Sequence, residues 1–207
     1  MARADDYRKA YEIAKEELQN HNPHHVCRAS GALCLEEAKR LSGIKLMFLN
    51  RPITISWPDV AFAQESDKEI PIKQKILVLH YLNGVSTKDL TGTLISYKDI
   101  PSARFYLDAF NRRVKQPLIQ AFGEHPDRLL PIAKELFGAS TSSLGDISVE
   151  IKAFPKVPVT LVIWKGDEEF PCDGTIIFDS SIGDILSAED ITELASHIVY
   201  PLIAQAK

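Results

Sequence analysis

An acidic turn between two strongly apolar runs is the first feature of this sequence whose side chains could do chemistry. The turn and the second run carry five acids: Asp167, Glu168, Glu169, Asp173 and Asp179. Clustered carboxylates bind magnesium or calcium, and a pair of them can act as general acid and base. No DxDxDG-type spacing is present, however, and the aromatic residues Trp164 and Phe170 frame the turn. The pattern favours a structured hairpin tip, with a metal-dependent enzyme as the alternative.

A stretch rich in histidine and cysteine is the second candidate for chemistry. Its candidate metal ligands are His24, His25, Cys27 and Cys34. Imidazole and thiolate groups bind zinc, haem iron and iron–sulfur clusters. The spacing CRASGALC matches none of the usual patterns for these sites, so an exposed polar loop is the preferred interpretation and metal binding the weaker one. Three cysteines without a CxxC pair also predict that there is no disulfide framework.

Two further residues could contact a ligand. His80 follows Ile76 and Leu77 by one helical turn, on an apolar part of a predicted helix. It could be an axial ligand of a tetrapyrrole or a general base, although a partly buried histidine bonded to a carbonyl is more common. Arg113 falls at the margin of a predicted buried stripe, where its charge needs an anionic partner. An internal acid such as Asp179 is favoured over a ligand phosphate or carboxylate.

The elements that must position these residues are predicted from apolar periodicity and from turn residues. Predicted helices cover 4–20, 33–41, 70–82, 101–122 (kinked at Pro117), 126–137 and a last segment from Ser187. Predicted strands cover 44–49, 52–57, 60–63, 94–97, 147–154, 157–164 and 175–178. Strands and helices come in runs rather than in regular alternation, which predicts an α+β fold with antiparallel strands in two groups packed with several helices. We expect one domain over residues 1–207, with an internal boundary near 138–146.

The composition excludes several classes of protein. The formal net charge of −4 gives no general attraction to nucleic acid. No run of about 18 apolar residues is present, so we expect no membrane span. The N-terminal segment is charged and amphipathic, which predicts a cytoplasmic protein. The common nucleotide-loop, nucleophile-elbow and zinc-protease motifs are missing from the sequence, which disfavours an enzyme with a familiar signature.

Four segments of the sequence carry a resemblance to a known family: LMFLNRPITI (46–55), ILVLHYLNG (76–84), LTGTLISYKDIPSARFYLDAFNRRVKQPLIQAFG (90–123) and WKGDEEFPCDGTIIFDSSIGDILSAEDI (164–191). Together they span most of the chain, and they resemble the domain of unknown function family 3786. The resemblance implies an origin in anaerobic bacteria or archaea. It also implies that some relatives carry an appended cysteine-rich iron–sulfur module, in organisms that depend on corrinoid and one-carbon metabolism. This chain lacks such a module. The motif CRASGALC departs from the family pattern, so a metal role for its cysteines would be particular to this protein.

Three functions follow as hypotheses. The first is a cytoplasmic binding or accessory protein of anaerobic metabolism, associated with a tetrapyrrole or corrinoid. In that case His80 would be an axial ligand, Arg113 would pair with a propionate or phosphate, and Trp164 and Phe170 would flank an apolar groove. The second is a metal-dependent enzyme that uses the acids around Asp167 and Asp179. The third is a module without a small-molecule site that binds a protein partner in redox or methyl-transfer metabolism.

Overall fold

The computed structural model of the protein describes residues 4–38, 40–63 and 69–207, which belong to two compact units. The first unit consists of Met1–Asp89 with the short pieces Phe154–Lys156 and Asp184–Leu186. The second consists of Leu90–Ala153, Val157–Gly183 and Ser187–Lys207. The long stretches of the two units therefore meet in sequence at residues 89 and 90, and the segment 138–146 lies inside the second unit.

The first unit combines three helices with a three-stranded antiparallel sheet of order β1-β2-β3. Its elements are α1 (Ala4–Gln19), α2 (Pro23–Ser30), β1 (Leu33–Glu37), β2 (Arg40–Phe48), β3 (Arg51–Ser56) and α3 (Ile72–Gly84). Leu49 and Asn50 connect β2 to β3 with φ angles of 47° and 62°. A two-residue connection with both φ angles positive matches the right-handed twist of a hairpin. The β2–β3 hairpin predicted around Asn50 is therefore confirmed.

A buried tyrosine organises the core of the first unit. The ring of Tyr81 stacks on that of Phe154 at 4.1 Å, and Phe154 in turn contacts Phe48 at 4.7 Å between centroids. The Tyr81 hydroxyl donates to the carbonyl of Ser30 at 2.7 Å and accepts from the backbone N–H of Lys156 at 3.3 Å. Burial raises the pKa of Tyr81 well above its usual range. A fully buried phenol keeps both its proton and its hydrogen bonds, so it serves as a structural anchor.

The second unit is built on a five-stranded antiparallel sheet of order β4-β8-β7-β6-β5. Its strands are β4 (Leu94–Ser96), β5 (Ser140–Thr141), β6 (Ile147–Phe154), β7 (Val157–Trp164) and β8 (Asp173–Asp179). Its helices are α4 (Leu107–Phe110), α5 (Gln116–Phe122), α6 (Leu129–Phe137) and α8 (Ala188–Ala206), together with α7 (Ile182–Ile185), whose last two residues are counted with the first unit. Together with the first unit, these elements confirm the predicted α+β class and its two groups of antiparallel strands.

Helix α8 is fixed at its start by side-chain hydrogen bonds. The Ser187 hydroxyl accepts from the backbone N–H of Asp190 at 3.1 Å, and the Asp190 carboxylate accepts from the backbone N–H of Ser187 at 3.3 Å. The sequence SAED (187–190) therefore forms a capping box, with Asp190 in place of the usual glutamate or glutamine. One turn further, the Thr192 hydroxyl donates to the phenol of Tyr97, whose ring stacks on Phe110 at 3.9 Å. Burial raises the pKa of Tyr97.

Helix α2 and strand β1 correct two predictions for the His/Cys-rich stretch. The predicted polar loop is a helix, because the Asn22 side chain accepts hydrogen bonds from the N–H groups of His24 and His25 at 3.0 and 3.2 Å. Pro23 is the first residue of α2, a position where its missing N–H is not needed. The helix predicted for 33–41 is wrong, because this segment pairs with β2 and forms the edge strand β1.

Two further predicted elements are wrong in detail. The strand predicted for 60–63 is reduced to one bridge between Ile55 and Phe62. The long helix predicted for 101–122 is divided into a 3₁₀ turn (Ala103–Phe105), α4, a π-helical turn (Asn111–Lys115) and α5. The π turn ends at Lys115, directly before α5, and Pro117 is the second residue of α5, where its missing N–H cannot continue the regular bonding of the preceding helix. Among the residues that the structure describes, none of the helices combines the length and the apolar character needed to cross a bilayer.

Candidate binding site

The β7–β8 hairpin positions the acidic turn. The two strands pair from Val159–Phe178 to Trp164–Asp173. Nearly every side chain of β7 is buried, whereas its last residue, Trp164, is 41% exposed. An apolar run buried on both faces holds the strand inside the sheet, so the connection of residues 165–172 must project beyond the sheet's end.

Asp167 shapes the turn by bonding to its own backbone. Its Oδ1 accepts hydrogen bonds from the N–H groups of Glu169 at 2.9 Å and of Phe170 at 2.8 Å. The Asp167 N–H donates to the carbonyl of Phe170 at 2.9 Å. The bond from Phe170, followed by that from Glu169, lowers the pKa of Asp167. This closed Asx turn is the structured tip that the sequence favours, and it occupies one of the two Asp167 oxygens with internal bonds.

A cleft of about 500 Å³ opens beside this turn, inside the second unit. We call it the hairpin cleft, and it is lined by Gly123, Glu124, Pro126, Asp127, Lys165, Gly166 and Cys172. Two glycines let its walls approach each other closely. A Cβ on Gly166 would lie 2.7 Å from the backbone nitrogen of Cys172, and a Cβ on Gly123 would collide with the Cys172 sulfur. Both glycines are therefore required for the half-buried Cys172 to lie between them.

Two exposed aromatic side chains lie on the same turn as the cleft residues Lys165 and Gly166. Phe170 is 67% exposed and Trp164 is 41% exposed, and they flank Lys165 and Gly166 in the chain. The backbone under Trp164 is fixed, because the Asp146 carboxylate accepts from the N–H of Lys165 at 2.8 Å. Rigid backbone that carries exposed apolar rings next to a cleft is typical of a recognition surface.

Asp179 lies at the other end of β8 and does not join the acidic turn. β8 has seven residues, so its two ends are roughly 20 Å apart. The carboxylates around Asp167 and Asp179 therefore do not converge on one cation. Within the described ranges 4–38, 40–63 and 69–207, no group of three or more histidine, cysteine, aspartate or glutamate side chains is placed to hold a metal ion.

The Asp179 carboxylate is enclosed by hydrogen-bond donors. Oδ1 accepts from the backbone and hydroxyl of Thr91 at 3.1 and 2.9 Å, and from the backbone and hydroxyl of Ser181 at 3.0 and 2.6 Å. Oδ2 accepts from the N–H of Gly92 at 2.7 Å. Burial opposes ionisation most strongly, but the bonds from Ser181 and Thr91 together outweigh it and lower the pKa of Asp179 to about 2. A carboxylate so fully bonded ties the loop of residues 91–93 to the sheet.

Arg113 has an internal partner, although not the one named from the sequence. Its guanidinium donates to the Glu193 carboxylate at 3.0 Å, and the imidazole of His197 lies 3.6 Å from the same carboxylate. The interpretation of an internal ion pair is confirmed, whereas the choice of Asp179 is wrong. Glu193 lies 80 residues away in sequence, so chain spacing alone could not select it.

The remaining predicted residues lie in the first unit. His80 is half-buried on α3, whereas Arg113, Trp164 and Phe170 belong to the second unit.

The prediction of no disulfide framework missed one bond, because Cys27 is joined to Cys34 with 5.8 Å between their Cα atoms. With their sulfurs joined, these two cysteines offer no thiolate to a metal ion. The predicted ligands His24, His25, Cys27 and Cys34 could therefore bind a metal ion only after the disulfide is reduced.

The sequence did not reveal the lining of the hairpin cleft. Gly123 and Cys172 lie 49 residues apart in the sequence, and only the tertiary fold brings the Cys172 sulfur against the backbone of Gly123. Gly123 was predicted as a helix end, and Cys172 was counted only as the odd cysteine. The one available signal was the GDEEFPC segment itself, whose turn acids and aromatics pointed to the correct edge of the sheet.

Comparison with known proteins gives one match. The family described as Domain of unknown function (DUF3786) matches residues 22–200, which is most of the 207-residue chain. No curated protein and no solved structure matches the chain.

Proposed function

The chain belongs to the DUF3786 family, whose description assigns no activity, and we propose from its own residues that it is a binding module for another protein. The contact surface is the hairpin cleft together with the turn of residues 164–172, which we call the hairpin face. The observation that carries this proposal is the exposure of Phe170 and Trp164 on the same turn that contributes Lys165, Gly166 and Cys172 to the cleft lining.

Phe170 is the principal anchor in this proposal. Its side chain has no polar atom and is 67% exposed, so water covers most of an apolar ring. Burying that ring against a partner would contribute about 2 kcal/mol by the usual area relation. Aromatic residues at the centre of an interface commonly supply much of the binding energy, and a cleft beside them can accept a partner side chain.

The charges on the hairpin face indicate the chemistry of the partner. Glu124 and Asp127 line the cleft, Glu168 and Glu169 lie on the exposed turn, and Lys165 is the one basic residue among the described lining residues. A face with an acidic excess around apolar rings is complementary to a partner that carries lysine or arginine around an apolar centre. Such charges steer association and select among partners more than they add affinity.

The setting we propose is the cytoplasm of an anaerobic organism, with a partner from redox or methyl-transfer metabolism. This setting rests on the family resemblance of residues 46–55, 76–84, 90–123 and 164–191. The association with a tetrapyrrole or corrinoid stays a prediction. It is tested by the absorption spectrum of the protein purified without oxygen, where a Soret or corrin band supports it.

Affinity capture with matched variants tests the proposed function. The wild type, Phe170→Ala and Phe105→Ala are immobilised in equal amounts and exposed to an extract of the native organism. Phe105 is the control because it is 90% exposed in the same unit and belongs neither to the cleft lining nor to the turn of residues 164–172. We expect one protein to be retained by the wild type and by Phe105→Ala and lost from Phe170→Ala. Equal retention by all three proteins would contradict the proposal.

A further inference from the structure

The disulfide between Cys27 and Cys34 joins two sulfurs with different surroundings. Cys27 is on α2 and is 6% exposed, between the buried residues Val26 and Ala29. Cys34 is on β1, which is the edge strand of the first unit's sheet, and is half-buried. An approaching thiolate therefore reaches the Cys34 sulfur more readily than the Cys27 sulfur.

A histidine lies beside the more accessible sulfur. The Nδ1 atom of the exposed His24 is 3.7 Å from the Sγ atom of Cys34, and the carbonyl oxygen of Pro23 is 3.9 Å from the same sulfur. His24 is held in this place because its backbone N–H bonds to the Asn22 side chain at the start of α2. A protonated imidazole next to a sulfur stabilises the thiolate that forms there when a disulfide is broken.

We propose that the Cys27–Cys34 pair is a thiol-exchange site that is reduced by a dithiol, with Cys34 as the sulfur that is attacked. A thiolate of the dithiol bonds to Cys34 Sγ, the Cys27–Cys34 bond breaks, and Cys27 leaves as a thiolate and takes up a proton. The second thiolate of the dithiol then attacks its own sulfur in the mixed disulfide, and Cys34 leaves as a thiolate. Two electrons pass to the protein, and the dithiol becomes a disulfide.

The local fold allows this cycle to run without unfolding. The cysteines are seven residues apart, and the connection between α2 and β1 contains Gly31 with a φ of 71°. The helix is held independently of the disulfide, through its Asn22 cap and through buried Val26, Ala29 and Ser30. The two thiols therefore stay close after reduction and can be reoxidised. In a cytoplasm, which is the proposed location, a disulfide is usually transient and redox-active rather than structural.

Differential alkylation of the folded protein tests the site. The wild type is treated with dithiothreitol without denaturant, alkylated, and analysed by mass spectrometry of the peptides that contain each cysteine, while circular dichroism follows the fold. We expect Cys27 and Cys34 to become alkylated with an unchanged spectrum, and Cys172, free in the structure, serves as the internal reference. A pair that stays oxidised until the protein is unfolded would overturn the proposal.

Single variants identify the attacked sulfur. In Cys27→Ser, Cys34 remains as the single thiol of the pair, and in Cys34→Ser, Cys27 remains. Each variant is mixed with glutathione disulfide. We expect the first variant to form the mixed disulfide about tenfold faster than the second, because Cys34 is more accessible than Cys27 and lies beside His24. Equal rates would contradict the assignment of Cys34. In the wild type, the thiolate of reduced glutathione attacks the Cys27–Cys34 bond, and the first glutathione adduct should be found on Cys34 while Cys27 is released as a thiol.

Replacing His24 separates its charge from a structural role. In the Cys27→Ser background, His24→Gln should slow adduct formation at Cys34 about threefold, while Cys172 reacts at an unchanged rate. His24→Lys restores a cation at the same position and should recover most of the rate. An unchanged rate in His24→Gln, or no recovery with lysine, would show that His24 does not stabilise the Cys34 thiolate.

Discussion

The two ends of strand β8 differ in how their polar and apolar groups are used. At the end with Asp179, which we call the closed end, the carboxylate is 4% exposed and accepts five hydrogen bonds from Thr91, Gly92 and Ser181. At the end with the hairpin face, the open end, Phe170 and the turn glutamates face solvent beside a cleft. The same strand therefore ends in a buried network of hydrogen bonds on one side and in an exposed surface of aromatic and acidic side chains on the other.

This difference separates stability from function. A buried carboxylate that is fully bonded has no capacity left for a ligand, so its loss should affect folding. Exposed aromatic rings on a fixed backbone contribute little to folding and can be buried by a partner. Acidic residues that look alike in the sequence thus have opposite roles, and variants at each end should change different quantities.

The largest expected effect is on stability at the closed end. Asp179→Asn removes the negative charge and replaces one carboxylate oxygen with an NH₂ group. Both oxygens accept hydrogen bonds in the wild type, so the NH₂ group would face a donor instead of accepting from it. We expect the free energy of unfolding at pH 7 to fall by roughly 2–3 kcal/mol in urea denaturation. Asp167→Asn is the control, because asparagine closes an Asx turn equally well, and it should change stability by less than about 0.5 kcal/mol. Equal losses in both variants would remove the difference between the ends.

The dependence of the free energy of unfolding on pH provides a second test of the difference between the two ends. The pKa of Asp179 is about 2 in the folded protein and 3.8 for an unperturbed carboxyl. Because the folded pKa is lower, the stabilisation is fully present above pH 4 and is lost as the pH falls toward 2. The loss amounts to about 2 kcal/mol in the wild type and should be missing from Asp179→Asn. Urea midpoints measured between pH 5 and pH 2 check this, and parallel curves for the two proteins would contradict it.

A smaller effect at the closed end comes from one hydroxyl. Ser181→Ala removes the 2.6 Å bond to Asp179 and should lower the free energy of unfolding by about 1 kcal/mol. Ser180→Ala is the matched control, because the Ser180 hydroxyl bonds to Thr91 and not to the carboxylate. Urea denaturation of both variants should give the larger loss for Ser181→Ala, and the reverse order would show that the carboxylate is not the centre of the network.

The smallest effect belongs to the turn charges at the open end. Glu168→Gln with Glu169→Gln should leave the free energy of unfolding within about 0.5 kcal/mol, because both side chains are exposed. Association with a captured partner should slow roughly two- to threefold at low salt, and the difference should shrink at high salt. Surface plasmon resonance at two salt concentrations measures this, and a faster association would show that the partner is not basic.

The sequence predicted the open end better than the closed end. Apolar runs and an acidic turn are local signals, so the β7–β8 hairpin and its structured tip follow from residues 157–179. The partners of Asp179 and Arg113 are not local, because Thr91 and Glu193 are brought to them only by the tertiary fold. The same limit explains strand β1, whose pairing with β2 overrides a helix-like local pattern, and the Gly123–Cys172 contact in the cleft.

Site-specific photo-crosslinking tests the central claim, that the hairpin face contacts a protein partner, most directly. A photoreactive phenylalanine analogue replaces Phe170 or, in a second protein, Phe105, and cells of the native organism that produce either protein are irradiated. The proposal predicts one dominant protein adduct from position 170 that is weak or missing from position 105, and that is reduced by Trp164→Ala. The same adducts from both positions, or adducts from position 105 alone, would contradict it.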